Sequence, residues 1–295
     1  MEINMHYVIG DVHGCFDEMI TLIKKIESAD SDARFVFVGD FFDRGPKVWD
    51  VLMWAMENIT PDGKYQSVMG NHELYALYWY KDFRKWETTV YPKTKSLDDL
   101  PKAQYDLHIW AGRMNALSSE KLLPILQFFL NLPFEKQFVM QGRDGKTIRY
   151  RIVHAWVPGP EDDTPEKQQA VYLFDRHFTG NTENDDIIVC GHTPTCSPVF
   201  YEQDKTTRPG MISYRKNAIH IDCGCSYKPY FNEYPCMLGA ICLETLEEIY
   251  PCSLKERMVV SPDALDEPWK ANAALYKLKY LLKKNRYREE MLKRL

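Results

Sequence analysis

Three short apolar runs near the N-terminus each end in a cluster of glycines and potential ligand residues. In open α/β sheets, ligands bind beyond the carboxyl ends of the strands. Three such clusters in series therefore predict one shared site at a sheet edge, whereas a single cluster would be weak evidence. The clusters are Gly-Asp-Val-His-Gly at 10–14, Gly-Asp-Phe-Phe-Asp-Arg-Gly at 39–45 and Gly-Asn-His-Glu at 70–73, after apolar runs at 6–9, 35–38 and 65–69.

The segments between these clusters have the pattern of crossover helices. Apolar side chains recur at helical spacing over residues 16–28. Pro46 is placed to open a second helix that continues through Trp54, because proline suits the first turn of a helix. Strands that alternate with helices form βαβ units, so the N-terminal quarter is predicted to be α/β.

The pattern changes after Glu73, where an aromatic-rich and mostly helical region begins. We interpret residues 74–135 as a helical insertion, and the apolar runs after it predict a second sheet. A Gly-Arg-Asp-Gly turn at 142–145 indicates a hairpin, and the acidic, proline-rich segment 158–165 indicates a surface loop. The runs lie at 135–140, 148–155, 187–191, 218–221 and 238–243, with a closing meander at 247–251.

The C-terminal segment is strongly basic although the whole chain has a net charge of −5. Residues 268–295 contain nine Lys or Arg and two acidic residues, with an apolar stripe from Leu275 to Leu292. We expect this helix to dock on its own acidic domain or to stay solvated, and a partner or nucleic-acid contact is the alternative. The predicted division is a catalytic domain at 1–256 and a basic helical tail at 257–295.

Composition excludes several other classes of protein. The net negative charge gives no general case for a nucleic-acid or anionic-membrane partner. No apolar stretch approaches the about 20 residues that a membrane span needs, and no signal-type apolar segment follows Met1. We therefore expect a cytoplasmic protein with reduced cysteines. Cys223 and Cys225 lack zinc-finger spacing, which favours packing around the glycine between them.

Six residues form a candidate metal-ligand set. Four follow the first three strands, and two histidines follow later apolar runs. All are nitrogen or oxygen ligands, which suit divalent Mn, Fe or Zn. Six ligands exceed what one open catalytic site uses, and a bridging Asp40 would divide them between two metals about 3.5–4 Å apart. The set is Asp11, His13, Asp40, Asn71, His154 and His192.

The order of these motifs resembles the phosphoprotein phosphatase branch of the calcineurin-like metallophosphoesterases. The resemblance runs from about residue 6 to 250 and includes His-Ala at 154–155 and Gly-His-Thr at 191–193. It implies a four-layer αββα sandwich, in which two mixed β-sheets are flanked by helices, with a helical insertion. The chain is similar to the bacterial or phage type, because Met69 replaces the arginine that eukaryotic members have before Gly-Asn-His-Glu.

The resemblance also implies a role for each site residue. Asp11, His13 and Asp40 would bind one metal, and Asp40 would be shared with a second metal bound by Asn71, His154 and His192. Mn²⁺ is favoured, with Fe or Zn as alternatives, and a hydroxide bridging the two metals would attack phosphorus directly.

Four further residues would act on the phosphate ester itself. Arg44 would clamp a phosphate oxygen, and His72, oriented by Asp43, would protonate the leaving group. Arg176 is the candidate for a second phosphate-binding arginine, and an ordinary surface arginine is the alternative.

Substrate choice is the least determined part of the interpretation. The leading hypothesis is a serine/threonine protein phosphatase acting on a phosphorylated protein or small phosphate ester. The alternative is a symmetrical diadenosine tetraphosphatase-like or polynucleotide-end phosphatase. His13 favours the first, because symmetrical diadenosine tetraphosphatases resemble Gly-Asp-x-Gln-Gly at this motif. A catalytically silent scaffold would lack the intact ligand set.

Several aromatic and histidine residues have packing as their simplest interpretation. Trp156 beside His154 would either pack or stack on a substrate base, and His220 is expected to be structural rather than a ligand. The aromatic residues of the insertion would form either a core or a nucleotide-stacking surface. They are Trp79, Tyr80, Trp86, Tyr91 and Trp110.

Overall fold

The first three ligand clusters follow three parallel strands of one sheet. The structure is a computed structural model that describes residues 5–89, 119–142, 145–176, 186–201, 207–231, 233–258 and 286–295. Strands β1 (His6–Ile9), β2 (Arg34–Phe37) and β3 (Tyr65–Ser67) are parallel neighbours. Helices α1 (Phe16–Ala29) and α2 (Val48–Asn58) connect them. The predicted βαβ units are confirmed, with α2 beginning two residues after Pro46 and extending beyond Trp54.

The predicted insertion is only partly visible. Helix α3 (Asn71–Thr89) begins within the third cluster rather than after it, and α4 (Ser119–Leu130) precedes the second sheet. Residues 90–118, which include Tyr91 and Trp110, lie outside the described residues.

A second sheet follows in the order β4-β5-β6-β8-β7. Strands β4 and β5 form the predicted hairpin, and β5, β6 and β8 run parallel. Thr164 caps helix α5 by accepting a hydrogen bond from the Lys167 amide. These elements are β4 (Glu135–Gln141), β5 (Thr147–Val153), α5 (Pro165–Phe174), β6 (Ile187–Cys190), α6 (Pro198–Tyr201), β7 (Ser213–Arg215) and β8 (Ala218–His220).

Two features of the second half differ from expectation. The run at 238–243 contains β9 (Ala240–Cys242), which pairs antiparallel with β1 and so belongs to the first sheet, as does β10 (Glu248–Ile249). The closing meander was expected in the second sheet, but it belongs to the first sheet. Strand β7 was not predicted, because its sequence Ser-Tyr-Arg carries no apolar run.

Side chains along each strand point alternately to the two faces of the sheet, so each sheet packs against the other sheet on one face and against helices on the other. The result is four layers. Val8 and Val36 face the second sheet and pack with Tyr150 and Val189. The intervening residues of β1 and β2 face α1 and α2. On the far side of the second sheet, Val153 and Ile188 pack with residues of α5. The αββα sandwich of two mixed sheets is therefore confirmed.

The described end of the C-terminal tail packs on the body of the molecule. Helix α7 (Leu254–Met258) precedes the segment 259–285, which lies outside the described residues, and α8 (Arg286–Arg294) ends the chain. Met291 is buried with the residues between the two sheets. The Arg288 guanidinium donates to the Leu246 carbonyl oxygen at 2.7 Å. The predicted stripe from Leu275 therefore lies mostly in the undescribed segment.

Candidate functional site

The six predicted ligand residues come together where the carboxyl ends of the strands of both sheets meet. Asp11, Asp40 and Asn71 follow β1, β2 and β3, whereas His154 and His192 follow β5 and β6. The His192 amide donates to the Asp11 carboxylate at 3.0 Å, so the sheets touch within the site. Residues more than 100 positions apart in sequence thus share one buried cluster.

Backbone strain is concentrated at this cluster. Among the described residues, seven non-glycine residues have positive φ, and five of them belong to the predicted site. Left-handed backbone costs an L-residue about 1–2 kcal/mol, and such conformations cluster at functional sites. The five are His13 (43°), Asp40 (51°), Asp43 (66°), Arg44 (69°) and His192 (67°).

Two glycines make room for the carboxylates. A Cβ on Gly70 would collide with the Asp40 carboxylate, and one on Gly191 would collide with that of Asp11. The glycine before Asn71 is therefore required by a side chain that follows the neighbouring strand β2, and the glycine before His192 by one that follows β1 of the other sheet.

Asp40 lies at the centre of the cluster. Its Oδ2 is 3.4 Å from His13 Nε2, 3.5 Å from His154 Nε2 and 3.8 Å from His72 Nε2. Within the described residues, two groups have ligand atoms close enough to hold an ion, and Asp40 belongs to both. One group is His13, Asp40 and His72, and the other is Asp11, Asp40 and His154. Asp40 is thus common to both groups, one of which places Asp11 with His154 and the other His13 with His72.

Asn71 connects the two later histidines. Its Oδ1 lies 2.8 Å from His154 Nε2 and 3.1 Å from His192 Nδ1. His154 Nδ1 is hydrogen-bonded to the Val38 carbonyl oxygen at 2.8 Å, which leaves Nε2 to face the cluster. His13 has the same arrangement, with Nδ1 2.8 Å from the Phe42 carbonyl oxygen. Such outer hydrogen bonds orient histidine ligands in metal sites.

The donor set fits divalent cations. Carboxylates, one amide oxygen and imidazole nitrogens converge within the site, and backbone carbonyls orient His13 and His154. Mn, Fe and Zn accept this combination of ligands, whereas a thiolate-dependent centre does not. The donors therefore leave the identity of a bound divalent metal open.

The histidines of the site divide by pKa. Burial lowers the pKa of His154 and, more strongly, those of His13 and His192, which favours the neutral imidazole that binds metals. His72 differs: burial alone would lower its pKa, but the Asp40 charge and the hydrogen bond to Asp43 outweigh burial and raise it. Its Nδ1 lies 2.7 Å from Asp43 Oδ2. His72 is therefore suited to carry a proton.

Arg44 lies beside His13 and His72. Its two terminal nitrogens are 2.8 Å from His13 Nε2 and 3.3 Å from His72 Nε2. Its guanidinium also stacks over the Tyr227 ring, with Cζ 5.0 Å from the ring centroid. Burial alone would lower its pKa, but electrostatic interactions with Tyr227 and Asp40 raise it, so the guanidinium stays charged.

Arg176 lies at the rim of the site. It is exposed, two residues beyond the end of α5, and its backbone amide bonds to the Asp175 carboxylate. Its charge contributes to lowering the pKa of His192 and restrains the rise in the pKa of Asp222. Arg176 is thus within electrostatic reach of the cluster.

Two buried carboxylates were missed by the sequence interpretation. Glu73 accepts hydrogen bonds from the amides of Asp40, Phe41 and Gly70 at 2.8–3.0 Å, which ties the loops after β2 and β3 together. Burial raises its pKa to about 7. Asp222 accepts from the Gly224 amide at 2.9 Å, and burial likewise raises its pKa to about 7. Glu73 belongs to the third cluster, but only side-chain geometry reveals what these two carboxylates contact.

The remaining candidates pack rather than join the cluster. Trp156 is buried with Val153 and Ile188. His220 lies between Trp156 and Phe200, with its Nδ1 3.4 Å from Cys190 Sγ. Trp79 is buried, and Tyr80 packs against the same core.

All eight cysteines are free, and Cys223 and Cys225 flank Gly224 at a φ of 71°, as the packing interpretation expects.

Fold and site together define a metallophosphoesterase. A family model described as calcineurin-like phosphoesterase matches residues 7–196, about two thirds of the chain, and the chain belongs to that family. Within the described ranges, no helix has both the length and the apolar character needed to cross a membrane.

Relatives of two kinds are found. The chain is 27% identical over 243 residues to an asymmetrical bis(5′-nucleosyl)-tetraphosphatase of Halalkalibacterium halodurans, covering 75% of this chain and 85% of the relative. It is 39% identical over 72 residues to a symmetrical bis(5′-nucleosyl)-tetraphosphatase of Neisseria gonorrhoeae, covering 24% of this chain and 25% of the relative. A crystal structure of a Sphaerobacter thermophilus metallophosphoesterase aligns with a TM-score of 0.44 at 13% identity, covering 84% of this chain and 87% of that one.

Proposed function

We propose that this metallophosphoesterase hydrolyses dinucleoside tetraphosphates, with an asymmetrical cut. The observation that carries this proposal is the relative of that name, whose similarity extends over three quarters of this chain and most of its own length. The relative named as symmetrical shares only about a quarter of its length with this chain. His13 in the first motif also argues against the symmetrical type. Sequence alone placed protein phosphatase first and a symmetrical diadenosine tetraphosphatase-like enzyme among the alternatives; the names of the relatives favour a tetraphosphatase, and the longer match favours the asymmetrical type.

The metal ions would be held by the six predicted ligands, with Asp40 shared. Two divalent cations, for which we propose Mn²⁺, supply Lewis-acid stabilisation of phosphoryl oxygens when bound. The strained backbone at Asp40 and His192 supports this assignment, because strain at ligand positions is expected where geometry serves binding.

Three residues of the chain would act on the substrate directly. The Arg44 guanidinium would bind a phosphate oxygen by its planar fork. His72, kept protonated by Asp40 and Asp43, would give its proton to the departing phosphate oxygen. Arg176, at the rim, would bind a more distant phosphate of the substrate's tetraphosphate group. Both arginines would then engage the tetraphosphate, through different phosphates.

A serine/threonine protein phosphatase is the second candidate. His13 supports it, since this motif has the phosphatase form, and the Asp43–His72 pair suits an alkoxide leaving group as well. A polynucleotide-end phosphatase would draw on the basic tail, of which the described part packs on the protein body.

One comparison separates the three functions. We would measure kcat/KM of the Mn²⁺-loaded full chain on diadenosine tetraphosphate, a phosphoserine peptide and a 3′-phosphorylated oligonucleotide, and analyse the nucleotide products. The proposal expects the tetraphosphate to be preferred at least tenfold and to yield AMP and ATP. Two molecules of ADP would contradict the asymmetrical cut, and preference for the peptide would replace the proposal by the second candidate.

A further inference from the structure

A group of three aromatic side chains lies next to Arg44. Tyr227 is half-buried, and its ring centroid is 6.5 Å from that of Tyr230 and 6.1 Å from that of Phe231. Among the described residues, Tyr230 has the largest exposed fraction of any large apolar side chain, 79%. We name these three residues the aromatic platform. Its exposed end contributes little to the core, so packing does not account for it.

The aromatic platform is attached to the metal-ligand cluster. The chain leaves β8, turns at Gly224 with a φ of 71°, and enters a short 3-10 turn at Cys225–Tyr227. The Cys225 thiol lies 3.3 Å from the Asp11 carbonyl oxygen and 3.4 Å from that of Val12, so this turn rests on the first ligand motif. The position of Tyr227 is therefore set by the same backbone that presents Asp11.

The exposed ring is held by an ordered backbone turn. The amides of Tyr230 and Phe231 both donate to the Tyr227 carbonyl oxygen, at 2.8 and 3.0 Å. The Lys228 ammonium donates to the Tyr234 carbonyl oxygen at 2.6 Å across the same turn. An exposed aromatic ring on a hydrogen-bonded turn is preorganised, which lowers the entropic cost of binding a flat ligand.

Arg44 connects the platform to the phosphate site. Its guanidinium stacks on Tyr227 at 5.0 Å while its nitrogens point towards His13 and His72. One side of the platform thus meets a phosphate-binding cation, and the other opens to solvent at Tyr230. A nucleotide has the same order of groups, with a phosphate at one end and a flat aromatic base at the other.

We propose that the aromatic platform binds a nucleobase, stacked on Tyr230, while Arg44 holds a phosphate of the same nucleotide. This inference rests on the proposed function and names the part of the chain that recognises the nucleoside. Stacking on an aromatic ring accepts any base, because every base has a π face. Recognition at this position is therefore expected to distinguish nucleotides from base-free phosphate esters rather than adenine from guanine.

The test uses the metal-loaded full chain and three variants. Tyr230→Ala removes the stacking ring, Tyr230→Phe keeps it, and Tyr78→Ala is the matched control, an exposed tyrosine on α3. AMP and inorganic phosphate are titrated into each protein by calorimetry, and KM is measured for diadenosine tetraphosphate. Tyr230→Ala should weaken AMP binding relative to phosphate, and raise KM, by about 5- to 150-fold. Tyr230→Phe should restore most of that loss, and Tyr78→Ala should match the wild type.

The outcomes separate this inference from the proposed function. An unchanged ratio of AMP to phosphate affinity in Tyr230→Ala, or an equal loss for both ligands, would overturn the base site even if diadenosine tetraphosphate is a good substrate. An equal rise in KM for a phosphoserine peptide would also overturn it, as a general substrate contact. A wild type that fails to cleave the tetraphosphate, yet binds AMP through Tyr230, would contradict the proposed function and leave the base site intact.

Discussion

At the scale of single residues, the four histidines of the site differ in their electrostatic surroundings. His13 and His154 have Nδ1 bonded to backbone carbonyl oxygens and pKa values lowered by burial. His72 instead has its Nδ1 on the Asp43 carboxylate and a raised pKa. Environments that push pKa values apart in one site indicate a division of roles. The neutral histidines suit ligation, and the protonated one suits proton donation.

His72→Asn tests this division. We expect kcat to fall by about 10²- to 10⁴-fold, as for loss of a general acid, while the metal content stays unchanged. The raised pKa extends the acid form to higher pH than in a free imidazole, and the acid form is lost as pH rises through that pKa. The wild-type kcat should therefore decline on the alkaline side, and the variant should lack that limb. Loss of bound metal in the variant would identify His72 as a metal ligand instead of a general acid. That outcome is the alternative to test because His72 lies close to Asp40.

At the scale of elements, the sequence predicted the ligand-bearing strands better than the contacts between them. The runs before Asp11 and Asp40 formed parallel strands because their residues are largely apolar on both faces, as buried parallel strands require. Strand β3, before Asn71, is the more polar Tyr-Gln-Ser. The placement of β9 beside β1 was not predictable from the apolar run at 238–243, because an apolar sequence does not specify which strand it pairs with. The hydrogen bonds of Glu73 were missed for a related reason, since the three amides that donate to its carboxylate come from two different loops.

Glu135 on β4 links its strand to β5 and to the flanking helix α5. Its carboxylate bonds to the Arg151 guanidinium on β5 at 2.6 and 2.7 Å and to the Tyr172 hydroxyl on α5 at 2.8 Å. Burial would raise the pKa of Glu135, but the Arg151 and Tyr172 hydrogen bonds outweigh it, so the pKa is lowered.

Glu135→Gln is expected to lower the free energy of unfolding by about 1.5–3 kcal/mol at pH 7. A lowered folded pKa gives stability that is present above the unfolded pKa of about 4.3 and is lost as pH falls through the folded value. Urea unfolding at several pH values should therefore show the variant and wild type converging below about pH 4. Glu57→Gln, at an exposed position on α2, is the control and should stay within about 0.5 kcal/mol. A difference that is independent of pH would show that the charge is not what stabilises.

At the scale of the whole molecule, both the site and the C-terminus join the two sheets. The site takes Asp11, Asp40 and Asn71 from the first sheet, and His154 and His192 from the second. Helix α8 places Met291 among the residues that separate the sheets. The tail, predicted to dock or to stay solvated, thus contributes to the core at its last turn, where Met291 belongs to the predicted apolar stripe.

Met291→Ala tests this contribution. Removing a buried methionine side chain should lower the free energy of unfolding by about 2–5 kcal/mol. Lys293→Ala on the same helix, at an exposed position, is the control and should leave stability within about 0.5 kcal/mol. Equal stabilities of the two variants in urea would show that α8 does not help to hold the molecule together.

We propose that Asp40 is shared by two divalent cations in a phosphate-ester-cleaving site. The most direct measurement is elemental analysis of the purified full chain and its Asp40→Asn variant, each after loading with Mn²⁺ and removal of free metal. We predict about two ions per wild-type chain, as a shared carboxylate in a two-metal site requires, and loss of bound metal together with turnover in Asp40→Asn. A variant that keeps both ions and its activity would contradict the claim.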